Sequence, residues 1–99
     1  MRSQRADVRL KGELDVETAA RARQQIHDAI DRSADETVIV SLQGLTFVDS
    51  SGLGLLVGAQ KRARDRGVDL RYLPPPDRLW RTFTATGLDR VLPFTSVPA

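Results

Sequence analysis

The apolar residues of this chain change period along its length, from two to about 3.6 and back. Only a fold that interleaves strands with helices buries both patterns. Val8-Arg9-Leu10-Lys11 alternates apolar and basic side chains, which predicts a strand with one buried face. Gly12-Glu13-Leu14-Asp15 reads as a turn, and the Asp15 carboxylate is placed to cap a following helix by accepting its unpaired amide protons. From Val16 to about Arg32 the apolar positions 16, 19, 20, 22, 26, 29 and 30 form one stripe, with Arg21, Gln24, Gln25 and Asp28 away from it. Val38-Ile39-Val40-Ser41-Leu42 is a β-branched run of the kind found in buried strands. Gln43-Gly44-Leu45 then reads as a turn and Thr46-Phe47-Val48 as a second extended piece. Asp49-Ser50-Ser51-Gly52 opens a helix over about 51–66, with apolar positions 53, 56, 57 and 63 on one face and Gly67 at its end. Val68–Leu73 predicts another strand. After Pro74-Pro75-Pro76, Asp77 caps a third helix over about 77–86, with Leu79, Trp80 and Phe83 as its apolar side. Val91–Phe94 reads as a last strand.

The order β-α-β-(β)-α-β-α-β predicts an α/β fold. It is a small mixed sheet of four or five strands, largely parallel, with helices packed mainly on one face. Leu53, Leu56 and Val57 are expected to pack against Val38, Val40 and Leu42. Ninety-nine residues make a single domain over 1–99. There is no cysteine, so the core must hold itself together, and thiolate metal sites are excluded.

Charge narrows the partners. The formal charge is +2, and every base except Lys11 and Lys61 is an arginine. The bases are spread over every segment, whereas a nucleic-acid surface gathers them on one face, so no direct nucleic-acid partner is expected. The one cluster, Lys61, Arg62, Arg64 and Arg66, shares its helix with Asp65 and reads as a solvated face. No apolar run approaches the ~20 residues that span a bilayer, and Met1 to Asp7 is too polar for a signal peptide. The expectation is a cytoplasmic domain with no membrane insertion.

Catalytic constellations are absent. Neither Ser50 nor Ser51 has the glycine two positions upstream that a nucleophile elbow requires. His27, the one histidine, lies inside the first helix, so neither a catalytic base nor a metal set assembles around it. Gly52-Leu53-Gly54 resembles the start of a dinucleotide loop, but Val57 stands where the third glycine belongs, and Gly58 comes one residue late. No metal and no cofactor is expected. What remains is Asp49-Ser50-Ser51-Gly52, two hydroxyls where a strand meets a helix. Ser50 can serve as a plain cap, accepting from the amides of Gly52 or Leu53. The same unpaired amides and positive helix end also favour an anion added there, such as a phosphate on serine.

The segment Val38 to Leu56, with Asp49-Ser50-Ser51-Gly52-Leu53-Gly54 after a hydrophobic strand, resembles the central signature of STAS domains. It is most similar to bacterial anti-sigma factor antagonists. Gly12-Glu13-Leu14-Asp15 matches their first turn, and Thr86-Gly87-Leu88 with Val91-Leu92 matches the segment after their third helix. The resemblance runs from about Val8 to Phe94. It implies partner switching. The unphosphorylated domain binds an anti-sigma factor that is also a serine kinase, which frees the sigma factor. Phosphorylation of the serine after the motif's aspartate ends the binding, and a cognate phosphatase restores it. That serine is Ser50, with Ser51 as second choice; Asp15, Asp49, Ser51 and Gly52 belong to the partner-binding surface. The domain itself is then a substrate and binding module, not an enzyme.

Three departures stand out. Ser41 occupies a strand position where the family often has Asp or Asn. The region before Val8 is short for the family, and the chain after Phe94 is too short for its usual fourth helix. A sheet with reduced cover favours a partner or a homodimer. The alternative reading is the small STAS subunit of a bacterial phospholipid-transport ABC complex, which needs no phosphoacceptor.

Overall fold

The computed structural model describes residues 6–33 and 36–95. Its sheet has three strands, β1 (Val8–Leu14), β2 (Thr37–Val48) and β3 (Asp69–Leu73), in the order β1-β2-β3. Both pairings are parallel, so each connection must cross over the sheet. The crossovers are made by α1 (Ala19–Asp31) and α2 (Ser50–Asp65), and α3 (Asp77–Ala85) and α4 (Leu88–Val91) follow β3.

Among the described residues the sheet therefore has fewer than the four or five strands expected, and its pairings are parallel rather than mixed. Gln43-Gly44-Leu45 does not turn the chain: β2 runs through it to Val48. The strand absorbs extra residues as bulges, because the register steps from Arg9↔Ser41 to Lys11↔Gly44 and from Gly12↔Leu45 to Glu13↔Phe47. A Cβ at Gly44 would stand 2.9 Å from Lys11 Cγ and 3.1 Å from the Leu10 carbonyl oxygen, so glycine lets the bulged backbone lie against β1. Val91 closes a short helix rather than opening a strand. Phe94 makes one parallel bridge to Tyr72, flanked by Tyr72 N–H donating to the Pro93 carbonyl at 3.0 Å. Pro93 has no N–H with which to extend that ladder. Instead Trp80 meets Phe94 edge-on at 4.9 Å, and Phe83 does so at 5.9 Å, which fastens the segment to α3. The expected lack of a fourth helix after Phe94, and the short segment before Val8, fall largely outside the described residues.

In β1 and β3 alternate side chains are buried: Val8 and Leu10, Leu70 and Tyr72 turn inward, while Arg9, Lys11, Asp69 and Arg71 are exposed. The Tyr72 hydroxyl donates to the Leu56 carbonyl of α2 at 2.9 Å, so the inward face lies under the crossover helices. Burial pushes that hydroxyl's pKa well up. Leu56 is buried as expected, but Val57 is exposed and Leu53 only partly covered. The buried face of α2 is Gly52, Leu55, Leu56, Ala59 and Ala63, one position round from the expected stripe. In α1 the buried residues are Ala19, Ala22, Ile26, Ala29 and Ile30; Ala20 is exposed and Val16 lies in the preceding turn, 73% exposed.

Gly67 does end α2. With φ +71°, it lets its own N–H reach the Arg64 carbonyl and the Val68 N–H reach that of Ala63, the reciprocal pattern of a Schellman cap. The basic cluster is not wholly solvated. Arg62 pairs with Asp31 at 2.8 Å and Arg66 at 3.4 Å, which ties α2 to the end of α1. The Arg62 hydrogen bond holds the Asp31 carboxyl below its usual range.

Candidate functional site

In parallel α/β sheets, function gathers where the strands end and the helices begin. Here the ends of β1 and β2 are in register, Leu14 opposite Val48, so Asp15 and Asp49 leave the sheet side by side, about 5 Å apart. The Asp49 N–H donates to the Leu14 carbonyl at 3.1 Å and locks the two exits together.

Asp49 adopts an extended conformation and its Oδ1 accepts from the amides of Ser51 at 2.9 Å and Gly52 at 3.2 Å. The cap of α2 is thus Asp49, not Ser50. This corrects the simplest expectation for the motif, and its consequence is chemical. Ser50, the first residue of the helix, is exposed and free of capping duty, while Ser51 is half-buried. Gly52 is buried and explains why the helix can start here: a Cβ on it would lie 2.7 Å from the Leu14 carbonyl oxygen and 2.8 Å from a Val48 methyl. The same test at Gly54 finds nothing within 4 Å. Of this glycine pair, Gly52 serves close packing and Gly54 does not.

Asp15 caps a turn rather than α1 directly. Its Oδ1 accepts from the amides of Glu17 at 3.0 Å and Thr18 at 3.1 Å, and its own N–H donates to Thr18 Oγ1 at 2.9 Å. The Thr18 hydroxyl in turn donates to the Glu13 carbonyl at 2.8 Å. Sequence reasoning missed Thr18. An Asp-x-x-Thr reciprocal cap was the available signal. Asp15→Ala should cost about 1 kcal/mol of stability, lowering the melting temperature by roughly 5 °C. It should also weaken partner binding by more than the unfolded fraction explains; binding that falls only with that fraction would make Asp15 a cap and nothing more.

Between α1 and α2 a cleft of about 530 Å³ opens beside this corner. Ser50, Ser51 and Gly54 line one wall; Val16, Arg23 and His27 line the other. His27 is therefore not a plain core residue. Burial lowers its pKa first, and Arg62 and Arg23 add to that against the pull of Asp31 and Asp28. Ser41 lies elsewhere, buried in β2, where its hydroxyl accepts from the Gln43 amide at 3.3 Å. The sequence-predicted residues Asp15, Asp49, Ser50, Ser51 and Gly52 thus meet at one corner. Among the described residues no cluster of three His, Asp or Glu side chains could hold a metal ion, and no helix is long and apolar enough to cross a membrane.

The family model of the STAS domain matches residues 2–98. This chain belongs to the STAS family. The STAS domain described here is 36% identical over 86 residues to the anti-sigma F factor antagonist of Paenibacillus polymyxa, spanning 87% of this chain and 74% of that protein. It is 33% identical over 82 residues to the anti-sigma-B factor antagonist of Staphylococcus aureus, spanning 83% and 75% respectively. Its fold is similar to that of the unphosphorylated anti-sigma factor antagonist SpoIIAA, with a TM-score of 0.70 at 31% identity over 91% of this chain and 76% of that one. Against the Bacillus SpoIIAA in its phosphorylated form the TM-score is 0.65 at 30% identity, covering 91% and 79%.

Proposed function

We propose that this STAS domain is an anti-sigma factor antagonist switched by phosphorylation of Ser50. The observation that carries the reading is the Ser50 hydroxyl itself: exposed, first in its helix, and released from capping by Asp49. The relatives support the role, since the similar proteins are anti-sigma factor antagonists and one has a phosphorylated form. Unphosphorylated, the corner formed by Asp15, Asp49, Ser51 and Gly52 binds an anti-sigma factor with serine kinase activity, and the sigma factor is freed. In the kinase's site Ser50 Oγ attacks the γ-phosphorus of ATP, ADP leaves, and the serine proton passes to a base of the kinase. A phosphatase reverses the modification by hydrolysis. The domain acts in the cytoplasm as substrate and binding module and performs no catalysis of its own.

The geometry explains how a phosphate could be accepted without refolding. Ser50 lies at the positive end of α2, where an added anion is favoured. The modification brings about −1.5 to −2 charges to a surface that already carries Asp15 and Asp49, so the partner meets a different face on the same fold. Incubation with the cognate anti-sigma kinase and ATP, followed by mass spectrometry, tests the assignment. Phosphate on Ser50 is expected. Phosphate only on Ser51 would move the acceptor by one residue, and phosphate on neither serine would reject the switch in favour of a constitutive subunit.

The cleft carries a second consequence. Gly54 and Gly58 have open space where a Cβ would go, so the fold does not require them. Gly54→Ala should stabilise the domain by about 0.5–1 kcal/mol through helix propensity. Binding to the anti-sigma factor should nonetheless weaken several-fold, because the methyl group intrudes on the docking surface. A variant that is more stable and binds as well as the parent would place the partner elsewhere.

A further inference from the structure

We propose that, once Ser50 carries a phosphate, the Arg23 guanidinium reaches along the cleft between α1 and α2 and holds it in an intramolecular ion pair. The inference rests on the reading above in taking Ser50 as the modified residue, and it adds what receives the phosphate.

Arg23 and Ser50 line the same cleft. The two helices follow adjacent parallel strands, so they begin at the same end of the molecule. Arg23 stands about one helical turn, roughly 5 Å, beyond the Ala19 and Ala20 level of α1. Side chains on a helix lean toward its N-terminus, which directs Arg23 toward the end where Ser50 sits. Little stands between them: Ala19 and Ala20 are small, and an added Cβ at Gly54 would meet nothing within 4 Å.

Arg23 is also available. It is exposed, and among the described residues no salt bridge engages it. Asp31 is taken by Arg62 and Arg66, and Asp28 accepts from Gln24 at 2.8 Å. A phosphate on Ser50 needs such a cation, because Asp49 precedes it in the chain and Asp15 leaves the neighbouring strand. Of the side chains lining the cleft, Arg23 is the one that keeps a positive charge at neutral pH, since the pKa of His27 is lowered. A guanidinium offers two parallel donors that match phosphate oxygens, which a lysine at the same place does not. The pair would lie across the small-residue floor of the cleft, so phosphorylation would obstruct the docking surface as well as recharge it.

The test uses the full chain with phosphoserine installed at position 50 during translation, alone and combined with Arg23→Gln or Arg23→Lys. Titration followed by ³¹P NMR should place the phosphate's second pKa roughly half a unit lower with Arg23 than with Arg23→Gln, with Arg23→Lys between them. The melting temperature should rise on phosphorylation with Arg23, and by about 3 °C less in Arg23→Gln. Equal titrations and equal melting shifts in the three backgrounds would overturn the ion pair, whatever the kinase does. Failure of the kinase to modify Ser50 would overturn the switch without altering these titrations, so the two ideas fail separately.

Discussion

Gly52→Ala is expected to cost the domain about 2–3 kcal/mol and to lower its melting temperature by roughly 10–20 °C. The new methyl group would lie 2.7 Å from the Leu14 carbonyl oxygen, 2.8 Å from Leu14 Cγ and 2.8 Å from a Val48 methyl. None of these is the free end of a flexible side chain. Leu14 is 2% exposed and Val48 7%, and the Leu14 carbonyl already accepts the Asp49 amide. Relief therefore means lifting the first turn of α2 away from β1, which strains the Asp49–Leu14 bond and displaces the cap with Ser50 on it. Against a total of about 5–15 kcal/mol for a domain of ordinary stability, that is a large share. Gly54→Ala, two residues on, is the internal control with the opposite sign. Thermal unfolding of the two variants side by side decides the matter, and an unchanged melting temperature for Gly52→Ala would mean the close approach is not what holds α2 in place.

Ser50→Asp should weaken binding to the cognate anti-sigma factor by about ten- to a hundred-fold, while Ser50→Ala binds nearly as the parent does and accepts no phosphate. The fold gives no reason for the aspartate to be destabilising. At the first position of a helix a carboxylate gains about 0.3–1 kcal/mol from the helix end, offset by Asp49 beside it. The loss therefore falls on the interface. An unpaired charge buried there costs several kcal/mol, and each 1.4 kcal/mol is tenfold in affinity. Aspartate carries about half the charge of phosphate, so it should mimic the modified form only in part. Titration calorimetry with both variants checks this; binding of Ser50→Asp equal to that of Ser50→Ala would show that charge at this position does not control the partner.

Most of the element order was legible because hydrophobic period is a strong local signal, and the glycine at 67 marks the end of α2 chemically. The miscounted strands have local causes. Gly44 reads as a turn glycine because sequence does not distinguish a turn from a bulge; the closeness of Lys11 and Leu10, residues far away in the chain, makes it a bulge. Val91-Leu92-Pro93-Phe94 has strand-like composition, yet Pro93 cannot donate and the preceding residues close a helical turn. Hydrophobicity places the stripe of α2 one position off, because Leu53 and Val57 outweigh Ala59 and Gly52, whereas the tight approach to the sheet admits the small ones. At the site, the motif put Asp49, Ser50, Ser51 and Gly52 at a strand–helix junction, where the structure has them. It did not show which of Asp49 and Ser50 does the capping, since both can accept from the same amides. Arg23 was invisible for a different reason: only the packing of α1 against α2 brings it to the cleft that holds Ser50.

One phosphate on Ser50 should turn binding off without unfolding the domain. The most direct measurement is the affinity of one preparation for its anti-sigma factor, by calorimetry, before and after quantitative phosphorylation, with circular dichroism recorded on both forms. Superimposable spectra are expected, with an affinity reduced at least a hundred-fold and restored on removal of the phosphate. Equal affinities for the two forms, or a loss of binding accompanied by loss of the helical signal, would contradict it.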